Sequence, residues 1–159
     1  MTPNETFSKA VLIVLLGLVQ ANVLAQAHAP DSKSKLVHEF LAAFNSHDAE
    51  KMGDLVTDNV NWVSVANGAA SIEVEGRSNL IAALKEYFVS CPTCRSTISK
   101  LMSSQDRVSA IEVASWQTQN GNRSQQSIAI YEFSGTQIEA VYYFPAEPVP
   151  TPAIDSNQE

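Results

Sequence analysis

Two long segments of alternating polar and apolar residues flank the dipeptide Asn120-Gly121. Both residues of this dipeptide accept the positive φ values that a two-residue β-hairpin turn requires, so the segments are predicted to pair as antiparallel strands. Further alternating segments on either side extend the prediction to a four-stranded meander. The predicted strands cover residues 95–102, 107–118, 124–134 and 137–144. A sheet of this size has to bury one face, and only the N-terminal half of the chain remains to cover it.

The N-terminal half begins with an amphipathic helix. Asp31 or Ser32 is suited to cap its start, and Asn45 lies at its predicted end. Its apolar residues recur at the spacing of one helical face: Leu36, Val37, Phe40, Leu41 and Phe44. This face is predicted to pack against the sheet.

Two more helices and two short strands complete the predicted domain. Asp48 is suited to cap a short second helix, and Ser78 or Asn79 to cap a third helix that ends before Pro92. The strands lie between these helices, at residues 59–66 and 71–75. Helices collected on one face of an antiparallel sheet make an α+β fold.

The first residues are typical of a secretory signal. Lys9 precedes the apolar run 10–19, and the small-residue sequence Ala25-Gln26-Ala27 follows it. An uncleaved membrane anchor is the alternative, but a span needs about 20 apolar residues. We therefore expect export to the periplasm or the exterior, with no membrane attachment after cleavage. The predicted organisation is a signal peptide at 1–27, one domain at 28–146 and a disordered, Pro-rich acidic tail at 147–159.

The charge and the cysteines restrict the partners. The formal net charge of −7 and the absence of any basic run exclude nucleic acid as an expected partner. Cys91 and Cys94 are the chain's two cysteines, and in an oxidising compartment such a close pair favours a disulfide. A redox function is disfavoured because the pair follows a helix, whose C-terminal dipole destabilises a thiolate. No metal site and no cofactor are expected.

Four local sequences resemble a known superfamily: residues 40–48 (FLAAFNSHD), 55–60 (LVTDNV), 76–81 (GRSNLI) and 138–144 (IEAVYYF). They resemble the nuclear transport factor 2-like superfamily, which includes SnoaL-like and ketosteroid-isomerase-like branches. The resemblance implies a strongly bent sheet that wraps around helices to form a cone. It also implies a ligand pocket at the open end and a homodimer formed through the outer sheet face.

The isomerase chemistry of that superfamily is not predicted here. Ketosteroid isomerases use an Asp base, with a Tyr and a protonated Asp that stabilise an oxyanion. In the resemblance these positions fall at Ser64, Phe40 and Ala129, respectively. None of the three side chains is an effective acid or base, so steroid isomerisation by that mechanism is expected to be absent.

Other side chains are predicted to line the pocket. Strand alternation and the resemblance together give the set Phe40, Trp62, Ser64, Gln125, Ser127, Tyr131 and Tyr143. Glu139 and Glu112 are candidate bases, because burial inside the cone would raise the pKa of either carboxyl. The alternative for Glu139 is a charge on the surface or the dimer face. His38 and His47 are interpreted as structural or solvated histidines.

Three functions remain open from the sequence. The first is an exported protein that binds a small, mostly apolar molecule without turnover. The second is an isomerase, cyclase or lyase with Glu139 or Glu112 as its base. The third is a dimerisation module whose cone is filled by its own aromatic side chains: Phe40, Phe44, Trp62 and Phe88.

Overall fold

The computed structural model describes residues 31–149. The predicted signal peptide and residues 150–159 of the predicted tail lie outside the described residues. No helix in the described range is long and apolar enough to cross a membrane.

Three helices pack against one curved, mixed, unclosed sheet, which confirms the predicted α+β class and the cone. The elements are α1 (Ser32–Asn45), α2 (Ala49–Asp54), β1 (Val56–Ala66), β2 (Ala69–Glu75), α3 (Arg77–Ser90), β3 (Arg95–Ser103), β4 (Arg107–Thr118), β5 (Gly121–Ser134), β6 (Gln137–Tyr143) and β7 (Glu147–Pro148). The main strand order is β2-β1-β6-β5-β4-β3, and β7 pairs with β5. Strand β1 runs parallel to β6, whereas the other neighbours are antiparallel.

Local sequence explains where the helices begin. The Asp31 side chain accepts hydrogen bonds from the backbone N–H groups of the first turn of α1, and Asp48 does the same for α2. Helix α3 begins earlier than predicted, with Gly76 as its N-cap at φ 87°. Glycine tolerates this positive φ, and the Asn79 side chain donates to the Glu75 carbonyl instead of capping. The prediction of a cap at Ser78 or Asn79 is therefore wrong.

The predicted hairpin is the longest pairing in the sheet. Strands β4 and β5 pair without interruption from Arg107–Glu132 to Thr118–Gly121. Strand β5 therefore starts at the turn itself, three residues earlier than predicted. This unbroken register puts alternate residues of both strands on the same inner face.

The core lies between the helices and this inner face. Val108, Tyr131 and Val141 follow one another across β4, β5 and β6 and are fully buried. The Phe40 ring of α1 meets the Tyr131 ring edge-on, with the centroids 6.2 Å apart. The predicted apolar face of α1 thus closes over the centre of the sheet.

A β-bulge in β6 changes which residues face the helices. Glu132 pairs with Ala140, and the next residue of β5 pairs with Ile138, so Glu139 is an extra, unpaired residue. Ile138 and Val141 are both fully buried, although three positions separate them. Glu139 is exposed. Of the two alternatives for Glu139, the structure has the surface charge and not the base inside the cone, because simple alternation does not hold across the bulge.

The chain stays in contact with the sheet beyond the predicted domain boundary. Gln125 and Gln126 of β5 pair with Pro148 and Glu147, respectively. The first residues of the predicted disordered tail therefore form a short strand.

Candidate functional site

A cavity of about 400 Å³ lies between the helices and the inner face of the sheet. Its deep end is formed by buried side chains that include Phe40, Met52 and Glu112, whereas Tyr87 and Gln125 at its rim are exposed. The wall is mainly apolar. The volume falls in the range of small-molecule sites, about 300–1,000 Å³.

Glu112 is the centre of a buried hydrogen-bond cluster in this cavity. Its Oε1 accepts a hydrogen bond from the Tyr131 hydroxyl. Its Oε2 accepts from the hydroxyls of Tyr143, at 3.2 Å, and Ser96, at 3.3 Å. The two tyrosine oxygens lie 3.4 Å from each other. Side chains from three strands, β3, β5 and β6, therefore converge on one carboxyl group of β4.

The sheet register and one helix-end residue fix this cluster. Ser127 is the cross-strand partner of Glu112, and Ala114 is the partner of Ser96. Asn45, at the end of α1, donates to the Ser96 carbonyl at 2.8 Å and accepts from the Ser96 N–H at 2.7 Å. The Asn45 side-chain amide thus bonds to Ser96 as a neighbouring strand's backbone would, and it connects α1 to β3. Asn45 thereby holds Ser96 in position to reach Glu112.

Glu112 has an unusual electrostatic environment. Only 5% of its surface is exposed, and burial raises the pKa of its carboxyl, although the hydrogen bonds from Tyr131, Tyr143 and Ser96 oppose the shift. The ion pairs within residues 31–149 involve other carboxylates, so no Lys, Arg or His there neutralises Glu112. A buried carboxyl whose pKa is raised is a candidate to accept or donate a proton in a reaction.

The two tyrosines stay protonated. Burial raises the pKa of both Tyr131 and Tyr143 well above 10, and the neighbouring Glu112 charge adds to the shift. Both hydroxyls are therefore permanent neutral hydrogen-bond donors.

Five of the seven predicted pocket residues lie on the cavity wall: Phe40, Trp62, Gln125, Ser127 and Tyr143. Trp62 and Tyr143 also stack on each other, with ring centroids 4.9 Å apart, so they belong to both core and wall. Tyr131 is not a wall residue, but its hydroxyl donates to the wall residue Glu112. Ser64 pairs with Tyr143 and so shares the inner face, but it is not a wall residue. Of the two candidate bases, only Glu112 reaches the cavity.

Sequence reasoning missed Ser96 and Tyr87. Ser96 is one of three buried polar residues in the described range, and alternation along β3 was the available signal for it. Tyr87 follows Leu80 and Leu84 on α3 at the spacing of an apolar helical face, which is typical of a core residue. Its ring lies instead at the cavity rim, and its hydroxyl donates to Cys94 Sγ at 3.3 Å.

Within residues 31–149, the cysteines and histidines lie outside the cavity wall. The Sγ atoms of Cys91 and Cys94 are 2.01 Å apart, as in a disulfide. His47 stacks on Phe88 at 4.5 Å, and its Nε2 lies 3.1 Å from the Cys94 carbonyl oxygen. His38 is exposed. Within residues 31–149 no group of three His, Cys, Asp or Glu side chains is placed to hold a metal ion.

A bent, open sheet that encloses helices and a cavity defines the nuclear transport factor 2-like class of folds. Residues 37–141 match the model of the SnoaL-like domain family, and the chain belongs to this family. The predicted superfamily is thus confirmed. No curated protein matches the sequence significantly.

Solved structures share the fold at low sequence identity. An uncharacterised cystatin-fold protein from Novosphingobium aromaticivorans is 18% identical, with a TM-score of 0.62 over 70% of this chain and 96% of that one. A Catenulispora acidiphila protein with a ketosteroid-isomerase-like fold, in complex with trimethylamine, is 17% identical, with a TM-score of 0.57 over 70% of this chain and 85% of that one. A nuclear transport factor 2-like protein of unknown function from Cytophaga hutchinsonii is 14% identical, with a TM-score of 0.56 over 77% of this chain and 95% of that one.

Proposed function

We propose that this chain is an exported protein that binds a small, mostly apolar molecule in the cavity, with the polar end of that molecule at Glu112. The observation that carries the proposal is a buried carboxyl on an otherwise neutral and mainly apolar wall. At about 30 Å³ per water molecule, the cavity of about 400 Å³ has room for roughly a dozen non-hydrogen atoms. The secretory pattern of residues 1–27 supports export.

The unfilled cavity argues against the dimerisation module. That hypothesis requires the aromatic side chains to occupy the cone themselves. Phe40, Phe44 and Trp62 instead form walls around empty space, and Phe88 packs against His47. The trimethylamine complex of the Catenulispora protein supports small-molecule binding by this fold.

Binding of benzyl alcohol tests the proposal with a matched pair of variants. Ala83 and Ala82 are neighbours on α3, but Ala83 lines the cavity and Ala82 is exposed. We expect Ala83→Trp to fill the cavity and abolish binding, as measured by ligand-observed NMR, and Ala82→Trp to leave it unchanged. Undiminished binding by Ala83→Trp, or no binding by the unmodified protein up to the solubility limit, would contradict the proposal.

A second candidate function is proton transfer, and the raised pKa of Glu112 is the observation that favours it. An ionised Glu112 would remove a proton from a carbon next to a carbonyl group and later return one to the substrate. Cyclohexanone in D₂O is a suitable probe, because each such cycle replaces one of its α-protons with deuterium.

We expect exchange above the background rate with the unmodified protein, and only background exchange with Glu112→Gln. Glu132→Gln removes a carboxyl that pairs with Arg107 outside the cavity and serves as the control. Equal exchange by the unmodified protein and Glu112→Gln would rule out Glu112 as a base.

A further inference from the structure

We infer that the molecule held in the cavity carries one positive charge, so that the ligand class is a small protonated amine with an apolar body. This inference rests on the proposed function and narrows it from small apolar molecules in general to monocations. It is carried by the charges and the aromatic rings of the wall.

The part of the wall formed by residues 31–149 carries one carboxyl group and no cation. Within that range Glu112 is its only acidic side chain, and no Lys, Arg or His is part of the lining. An anionic ligand would bring a second negative charge next to Glu112 with nothing to balance either charge, which is costly in a buried site. A cation would supply the counter-charge that residues 31–149 do not provide.

Aromatic rings line the same cavity as Glu112. Phe40, Trp62 and Tyr143 line the cavity together, and the centroids of Phe40 and Trp62 are 6.4 Å apart. Ring faces attract a nearby cation by about 0.5–2 kcal/mol each, with the larger value in a desolvated site. The same rings offer an apolar surface to the body of the ligand.

Glu112 retains hydrogen-bonding capacity for an N–H group. A carboxylate has about four acceptor sites, and the hydroxyls of Tyr131, Tyr143 and Ser96 occupy three of them. Ser127, directly across from Glu112 on β5, adds a neutral hydroxyl oxygen to the wall. An alkylammonium group therefore has a charged acceptor and a neutral acceptor within one site.

Binding of a cation is linked to the ionisation of Glu112. The titratable groups that face it are Tyr131 and Tyr143, with Tyr87 at the rim, and burial raises the pKa of all three above 10. They stay neutral at the pH values at which Glu112 titrates. Affinity for a cation is therefore expected to rise with pH until Glu112 is fully ionised, and binding below that point releases a proton.

Three probes of nearly the same size and shape test the charge. Benzylamine, benzyl alcohol and benzoate are cationic, neutral and anionic, respectively, at neutral pH. By isothermal titration calorimetry we expect benzylamine to bind at least tenfold more tightly than benzyl alcohol, and benzoate not to bind. Glu112→Gln should remove the preference for benzylamine over benzyl alcohol, and Glu132→Gln, at a carboxyl outside the cavity, should keep it.

The possible outcomes separate this inference from the proposed function. Equal binding of benzylamine and benzyl alcohol, or a preference that survives Glu112→Gln, would overturn the inference of a cation and leave small-molecule binding in place. Binding of benzoate alone would also overturn it. Failure of all three probes, or binding that Ala83→Trp does not block, would count against the proposed function itself.

Discussion

The Tyr131 hydroxyl is the group whose removal affects the buried cluster most directly. Tyr131 is fully buried and donates to Glu112 Oε1, so Tyr131→Phe leaves that oxygen without this donor. A hydrogen bond to a charged group contributes about 1.5–3 kcal/mol, and a neutral bond about 0.5–1.5 kcal/mol. We expect a loss of about 2 kcal/mol in the free energy of unfolding where Glu112 is ionised, and about 1 kcal/mol where it is protonated.

The sign of the pH dependence follows from the pKa of Glu112. Burial already raises it, and Tyr131→Phe removes a hydrogen bond that lowers it, so the variant binds a proton more tightly when folded. The unfolded chains titrate alike, so the two proteins differ in bound protons only between the raised folded pKa of the unmodified protein and the still higher folded pKa of the variant, where the folded variant holds more protons. The destabilisation caused by Tyr131→Phe therefore grows as pH rises through this window and is constant above it.

Urea denaturation across this pH range measures the effect, and Tyr142→Phe is the matched control. The Tyr142 hydroxyl also donates to a glutamate, Glu132 Oε2 at 3.0 Å, but this glutamate is partly exposed and paired with Arg107. Water can replace that bond, so a pH-independent loss of about 0.5 kcal/mol is expected. Two results would refute the view that Glu112 ionises in the folded protein while it accepts a hydrogen bond from Tyr131. One is an equal loss of unfolding free energy in both variants, and the other is a loss for Tyr131→Phe that does not change with pH.

Three further predictions concern the surroundings of the cluster. Asn45→Ala removes both bonds to the Ser96 backbone and is expected to cost about 1–3 kcal/mol in urea denaturation and to weaken benzyl alcohol binding; unchanged binding would show that Asn45 does not position the site. Reduction of the Cys91–Cys94 disulfide opens a four-residue loop and should cost about 2 kcal/mol at most, read as a lower Tm with dithiothreitol. Glu139→Gln should change neither ligand binding nor proton exchange, because Glu139 is exposed; an effect equal to that of Glu112→Gln would contradict the assignment.

The sequence pattern predicts the elements of this fold well because most of them have strong local signals. The Asn120-Gly121 signal locates the hairpin, but Thr118 pairs with Gly121, so the two loop residues are Gln119 and Asn120, and only Gly121 of the predicted pair has a positive φ. Asp31 and Asp48 accept the hydrogen bonds that start the first two helices. Alternation then orders the residues of β4 and β5 correctly, so Glu112, Gln125 and Ser127 are all on the inner face. These signals act within a few residues of the chain and need no knowledge of the tertiary structure.

The parts of the site that were not predicted depend on longer-range geometry. The bulge at Glu139 lies in β6, which pairs with both β5 and β1. The sequence of residues 137–144 contains no pattern that predicts it. Ser96 is held in the cluster by two hydrogen bonds between its backbone and the Asn45 side chain, which is 51 residues away along the chain. A pattern confined to one strand cannot report contacts of this kind, although it does limit the candidates to a few side chains.

The central claim is that the cavity holds a ligand whose polar end meets Glu112. A crystal structure of the protein soaked with benzyl alcohol tests this claim most directly. We predict density for the ring in the cavity against Phe40 and Trp62, with the hydroxyl within hydrogen-bonding distance of the Glu112 carboxyl. An empty cavity beside a ligand bound elsewhere, or a ligand in the cavity whose hydroxyl points away from Glu112, would contradict it.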